Sequence, residues 1–188
     1  MLPRKRRPRR GRSAPWRLPR WSWLVLIGLI VLGRLLGLWP EFPPRELAPG
    51  VYSVREVIDG DTLRLTNGAR IRFIGVDAPE LRGPDGLPEP FAVEATEFVR
   101  GVVATHGGEV RLEFDRVLQD RYGRFLAYVY AGDLFINEEL VRQGLARARL
   151  EFDYSSYMKA RFREAEREAQ KATRGIWSLA FAEDSSGR

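Results

Sequence analysis

The chain has 188 residues, room for one well-cored domain with appendages, and its net charge of +6 conceals an asymmetry. Residues 1–40 carry ten Lys or Arg and no acid, whereas residues 41–188 hold 21 basic residues against all 25 acids, a net of −4. With no cysteine and one histidine, His106, the chain excludes disulfides, thiol nucleophiles and zinc sites built on thiolates or several histidines; any metal would be a hard cation on oxygen ligands.

Residues 1–20 are a basic tail with prolines and no periodicity, expected to stay in the cytoplasm. Trp21 to Trp39 follows as 19 residues in which Arg34 is the only charge. A helix of that length measures roughly 28 Å, close to a hydrocarbon core, and tryptophans 21, 23 and 39 stand at its edges. The expectation is an uncleaved single-span anchor over 21–39, with the domain extracytoplasmic at the cell membrane. A cleaved signal peptide is the alternative, but no small-x-small site follows the apolar run. Residues 40–50, rich in proline, read as a tether.

The globular part opens with a strand over 51–58, broken at Asp59-Gly60-Asp61. Residues 62–65 and 70–76 are apolar runs split by Thr66-Asn67-Gly68, a hairpin signature with Asn-Gly at its heart. Pairing them doubles the segment back, so Asp59 and Asp61 at one end approach Asp77 and Glu80 at the other. Carboxylates gathered in one place repel unless a cation or arginines hold them. The stretch from Val57 to Glu80 therefore asks for a metal.

A Gly/Pro-rich loop over 81–90 precedes a helix from Phe91 to His106, stopped by Gly107-Gly108. Strands are expected over 109–114 and 124–131, with Asp120 to Arg124 as the polar entry to the second. Asn137 is expected to cap a helix to about Arg147, and a last helix covers about 154–173, with Gly175 as its stop. Five short strands and three helices fit a small closed barrel with helical cover. His106, at a helix end beside two glycines, reads as a surface residue.

Phosphodiester hydrolysis brings water to an anion that repels it. A cation on the phosphate, a carboxylate on the water and arginines on the oxyanion together lower that barrier. Arginine suits the last task because its planar fork pairs with phosphate oxygens and never loses its charge. The chain offers acids at 59, 61, 77 and 80 and arginines at 72 and 124; spacing alone does not bring Arg124 to the others.

VIDGDT, RFIGVDAPE, DRYGRFLAYVY, NEELVRQGLA and RGIW, in that order, closely resemble the staphylococcal nuclease (thermonuclease) family over about Val51 to Ser178. The resemblance implies an α+β, mainly β domain over 51–178: a five-stranded OB-fold barrel with three helices, followed by a tail over 179–188. It implies a monomeric, calcium-dependent endonuclease of low sequence specificity acting on DNA and RNA. By this resemblance Asp61 and Asp77 ligate Ca2+ together with the main-chain carbonyl of Ala78, and Asp59 supports the site without ligating. Glu80 matches the general base, Arg72 and Arg124 the two arginines on the scissile phosphate, and Tyr122 an aromatic at the nucleotide site. Ala78 stands where the type enzyme has threonine, and Leu150 and Phe152 stand where it has two tyrosines. The alternative is a non-catalytic module binding nucleic acid or protein, which has no need of three acids and two arginines together.

Overall fold

The computed structural model describes residues 20–35 and 44–179. The chain divides into two compact units, residues 1–40 and 41–188. In the first, α1 (Arg20–Leu35) has 16 residues, about 24 Å of helix, with Leu24, Ile27 and Leu29 exposed. Among the described residues no helix is long and apolar enough to cross a membrane. The span expected over 21–39 is thus not found: the described helix falls several ångströms short of a hydrocarbon core. Residues 36–39, the basic tail up to residue 19 and the C-terminal tail from residue 180 lie outside the described residues.

The second unit runs β1 (Gly50–Val57), β2 (Thr62–Leu65), β3 (Arg70–Phe73), β4 (Val76–Asp77), α2 (Ala92–Thr105), β5 (Glu109–Gln119), β6 (Phe125–Ala131), β7 (Leu134–Phe135), α3 (Ile136–Arg142), β8 (Arg147–Ala148) and α4 (Ser156–Lys171). The expected hairpin is present, pairing Thr62 with Arg72 and Leu63 with Ile71. Its turn is tied by Leu65 N–H donating to the Ala69 carbonyl and by Asn67 Oδ1 accepting from Ala69 N–H, while Gly68 takes φ +85°.

The sheet runs β3-β2-β1-β5-β6-β7, and a parallel pairing of β3 with β6 closes its first five strands into a barrel, consistent with an OB-fold. Closure buries alternate residues of β2, β3, the first half of β5 and β6: Leu63, Leu65, Ile71, Phe73, Val110, Leu112 and Val129 belong to one core. Ala95 and Val99 on α2, Leu140 on α3 and Phe162 and Ala165 on α4 join the same core. Three two-residue strands escape the sequence reading because so short a run has no periodicity; two of them, β4 and β8, pair with each other beside the barrel.

Asn137 does not cap its helix. Phe135 occupies that position, with no side-chain capping bond. Asn137 is instead fully buried: its Oδ1 accepts from Val129 N–H at 2.9 Å and its Nδ2 donates to the Ile74 carbonyl at 3.0 Å. Those main-chain groups of the barrel wall take both ends of the amide and leave neither for the helix end. Asn137→Ala, which strands both, is expected to lower stability by about 2–3 kcal/mol in urea unfolding.

Candidate active site

Two tight connections bring the acids to one edge of the barrel. In the turn after β1, Ile58 N–H and Asp59 N–H both donate to the Thr62 carbonyl, and Asp59 Oδ1 accepts from Asp61 N–H at 3.0 Å. Gly60 sits so close beneath the segment after β4 that a Cβ there would lie 2.7 Å from both Ala78 and Ala95. Only glycine permits that approach, and through it Asp61 Oδ2 accepts from Ala78 N–H at 2.8 Å. Asp59 therefore shapes the turn while Asp61 reaches across it.

Arg72 holds the cluster together. Its Nη2 lies 3.0 Å from Asp61 Oδ2 and 2.8 Å from Asp77 Oδ1, and its Nη1 donates to the carbonyls of Phe73 and Val76. The Arg72 side chain is thus only 16% exposed, with both terminal nitrogens engaged. Burial pushes Asp61 up to about 7, against the pull of Arg72, with Asp59 adding to the rise. Thr62 and Ala78 donate to that carboxylate and lower it in part.

Among the described residues no group of three or more His, Asp or Glu side chains lies close enough to hold a metal ion. The acids expected to meet at a cation meet instead at a guanidinium: Asp61 and Asp77 come together on Arg72. The pair, with the peptide of Ala78 hydrogen-bonded to Asp61, is an all-oxygen donor set of the kind a hard cation takes.

Glu80 begins the loop before α2, and that loop is closed on itself. Glu80 N–H donates to Glu89 Oε2 at 2.9 Å, and Glu89 N–H donates back to the Glu80 carbonyl at 3.0 Å. Burial raises the Glu80 pKa; Asp59, Asp77 and Glu89 raise it further, and Arg72 opposes them. A carboxyl in a field of like charges holds its proton to higher pH and, once deprotonated, is a stronger base.

Arg124 arrives from the hairpin loop between β5 and β6. Asp120 organises that loop: its Oδ1 accepts from the N–H groups of Tyr122 and Arg124, and its Oδ2 takes Arg124 Nε at 2.7 Å. Burial would raise Asp120, but the Arg124 side chain and these main-chain donors outweigh it and hold the carboxyl low. Among the described residues neither terminal nitrogen of Arg124 is hydrogen-bonded, so its fork is open. Tyr122, 59% exposed, lies beneath the guanidinium at 5.5 Å.

Arg72, Arg124 and Tyr122 line one cleft of about 510 Å³, whose wall is completed by Arg149, Phe152 and Tyr154. The structure thus brings Arg124 to the Arg72 side, as spacing could not show. Ala78 is not among the residues lining this cleft; it borders a second cavity of about 420 Å³ that shares Asp77 with the acid cluster. Phe152 is exposed at the rim, whereas Leu150 packs against the core. His106 is exposed at the end of α2, its Nδ1 2.8 Å from the Val102 carbonyl.

Two residues of this cleft escaped the sequence reading. Asp120 had a signal, an aspartate three residues before a glycine in a hairpin loop. Arg149, whose Nη1 lies 3.0 Å from Asp77 Oδ2, had none, since nothing local ties residue 149 to residue 77.

The chain matches the family model described as staphylococcal nuclease homologue over residues 70–179. It is 40% identical over 130 residues to the thermonuclease of Staphylococcus hyicus, covering 68% of this chain and 75% of that protein. It is 40% identical over 129 residues to the thermonuclease of Staphylococcus intermedius, covering 67% and 75%. It is also 35% identical over 125 residues to the endonuclease YncB of Bacillus subtilis, covering 64% and 58%.

Proposed function

The chain belongs to the staphylococcal nuclease family, and from that premise we propose that it is a calcium-dependent nuclease hydrolysing phosphodiester bonds of DNA and RNA with little sequence preference. The observation that carries the reading is the presence of Arg72 and Arg124 on one cleft, with Asp61 and Asp77 paired to the first of them. Asp61, Asp77 and the Ala78 carbonyl are the groups that would hold the cation. When bound, it supplies Lewis-acid polarisation and offsets the charge of the phosphate.

The chain's own residues do the rest. Arg72 and Arg124 place guanidinium forks on the phosphate oxygens, where negative charge grows as the attacking oxygen closes on phosphorus. Glu80 orients the water and accepts its proton. Asp59 supports the site through its bond to Asp61 N–H, and Tyr122 offers a ring face to a neighbouring base. With purified protein and end-labelled single-stranded DNA, cleavage is expected in calcium and lost in chelator; intact DNA after prolonged incubation with calcium would overturn the reading.

The two raised carboxyls fix the direction of the pH dependence. Glu80 must be deprotonated to act as base, so the acid limb of kcat/KM is expected above the ordinary glutamate range, with the rate falling as pH falls. Asp61 must likewise lose its proton to bind a cation, so calcium affinity is expected to rise as pH rises through about 7. Glu80→Gln is expected to cost about 10²–10⁴-fold in rate and to flatten the Glu80 limb while leaving the pH dependence of calcium binding in place.

The proposal extends to location: the chain is held at a cell membrane by residues 21–39, with its N-terminus cytoplasmic and its nuclease domain outside. The ten basic residues and absence of acid in residues 1–40, around an apolar run, support it. Among the described residues α1 alone does not reach the length of a span. Protease added to intact cells should remove the domain; digestion only after permeabilisation would refute the topology.

A further inference from the structure

Asp77 carries a guanidinium on each oxygen: Arg72 Nη2 at 2.8 Å from Oδ1 and Arg149 Nη1 at 3.0 Å from Oδ2. A cation that binds this carboxylate must compete with one of them. The two are unequal rivals. Arg72 is 16% exposed and is fixed by two backbone carbonyls, whereas the Arg149 side chain is 41% exposed.

The main chain at Arg149 is anchored independently of its side chain. Its N–H donates to the Gly75 carbonyl at 2.8 Å, and its carbonyl accepts from the Tyr154 hydroxyl at 2.9 Å. The guanidinium thus turns about a fixed pivot. A second carboxylate, Glu151, lies 2.6 Å from its Nε in the same arrangement, a partner that Arg149 keeps if Asp77 is taken by a cation. Arg149 also lines the cleft that holds Arg72 and Arg124, so a short swing keeps it beside a bound strand.

We infer that Arg149 is a positioning residue with two alternating partners: it neutralises Asp77 before the cation binds and, once displaced, takes a backbone phosphate of the strand adjacent to the one being cut. Cation binding makes Arg149 available to the strand, and the strand draws Arg149 from Asp77. Each ligand therefore tightens the other by the same factor. This inference rests on the nuclease reading above.

The test uses the full-length protein, titrated calorimetrically with calcium alone and then with a nuclease-resistant phosphorothioate hexanucleotide in saturating calcium. In Arg149→Gln, calcium affinity without the strand is expected to rise about two- to fivefold, the range of a part-exposed ion pair. Hexanucleotide affinity is expected to fall, and the slope of log affinity against log salt to shrink by about 0.7, one phosphate's share on a single strand. Arg149→Lys, which keeps the charge, should restore most of that slope. Unchanged calcium affinity, or an unchanged salt slope, overturns the inference, because the alternation needs both partners. Arg124→Ala separates the two failures: a smaller slope there but not in Arg149→Gln sinks this inference alone, and no change in either sinks the nuclease site with it.

Discussion

Cleavage of single-stranded DNA is expected to fall about 10³-fold in kcat/KM when Arg124 is replaced by alanine, with the fold intact. The open fork of Arg124 is aimed by Asp120, and its value lies in the transition state, where phosphate oxygens gain charge. A thousandfold loss corresponds to about 4 kcal/mol of transition-state stabilisation. The loss to stability is far smaller, because Arg124 and Asp120 form one part-exposed pair and Asp120 keeps its main-chain donors. Arg124→Lys restores a charge but not the planar fork, so it should recover only part of the rate. Steady-state kinetics beside a thermal melt check both halves; a variant that cleaves at the wild-type rate would remove Arg124 from the mechanism.

Phe162→Ala is expected to have the largest effect on stability, about 3–5 kcal/mol. The ring is completely buried on α4, 5.7 Å from Phe135 and 6.0 Å from Tyr154 between ring centres. On its remaining side it lies against Gly75, where an added Cβ would sit 2.6 Å from the ring. Gly75 takes φ +73°, so neither its backbone nor its space admits a larger residue that could fill the void. For a unit of this size the expected drop in melting temperature is about 10–18 °C. A shift of only one or two degrees would mean that α4 is not fastened to the barrel through this ring.

The parts legible in the sequence were those with local cause. Alternation through 62–65 and 70–73 around Asn-Gly gave the hairpin, and the glycines after α2 gave its end. The acids were legible as a cluster because the hairpin must bring its ends together. Their partner was not. Nothing in the local pattern distinguishes Arg72 as a buried clamp from Arg70 beside it, which is exposed and donates to the Tyr122 carbonyl. Asn137 misled for the same reason: its position before two glutamates mimics a cap, and only the wall across from it shows what the amide serves. The Arg149 pairing joins elements 72 residues apart, beyond any local rule.

The seam between β3 and β6 sets Ile71 beside Phe125 and Arg72 beside Leu126. It is the step that unites the arginine of the hairpin with the arginine of the later loop, and it spans more than fifty residues of chain. Closing so long a loop is slow, since its entropy must be spent before the contacts return it. A slip of one residue there would turn Arg72 to the opposite face of the barrel. Recovery of cleavage after denaturation is therefore a kinetic clock for the last barrel joint, and should trail the return of helical circular dichroism.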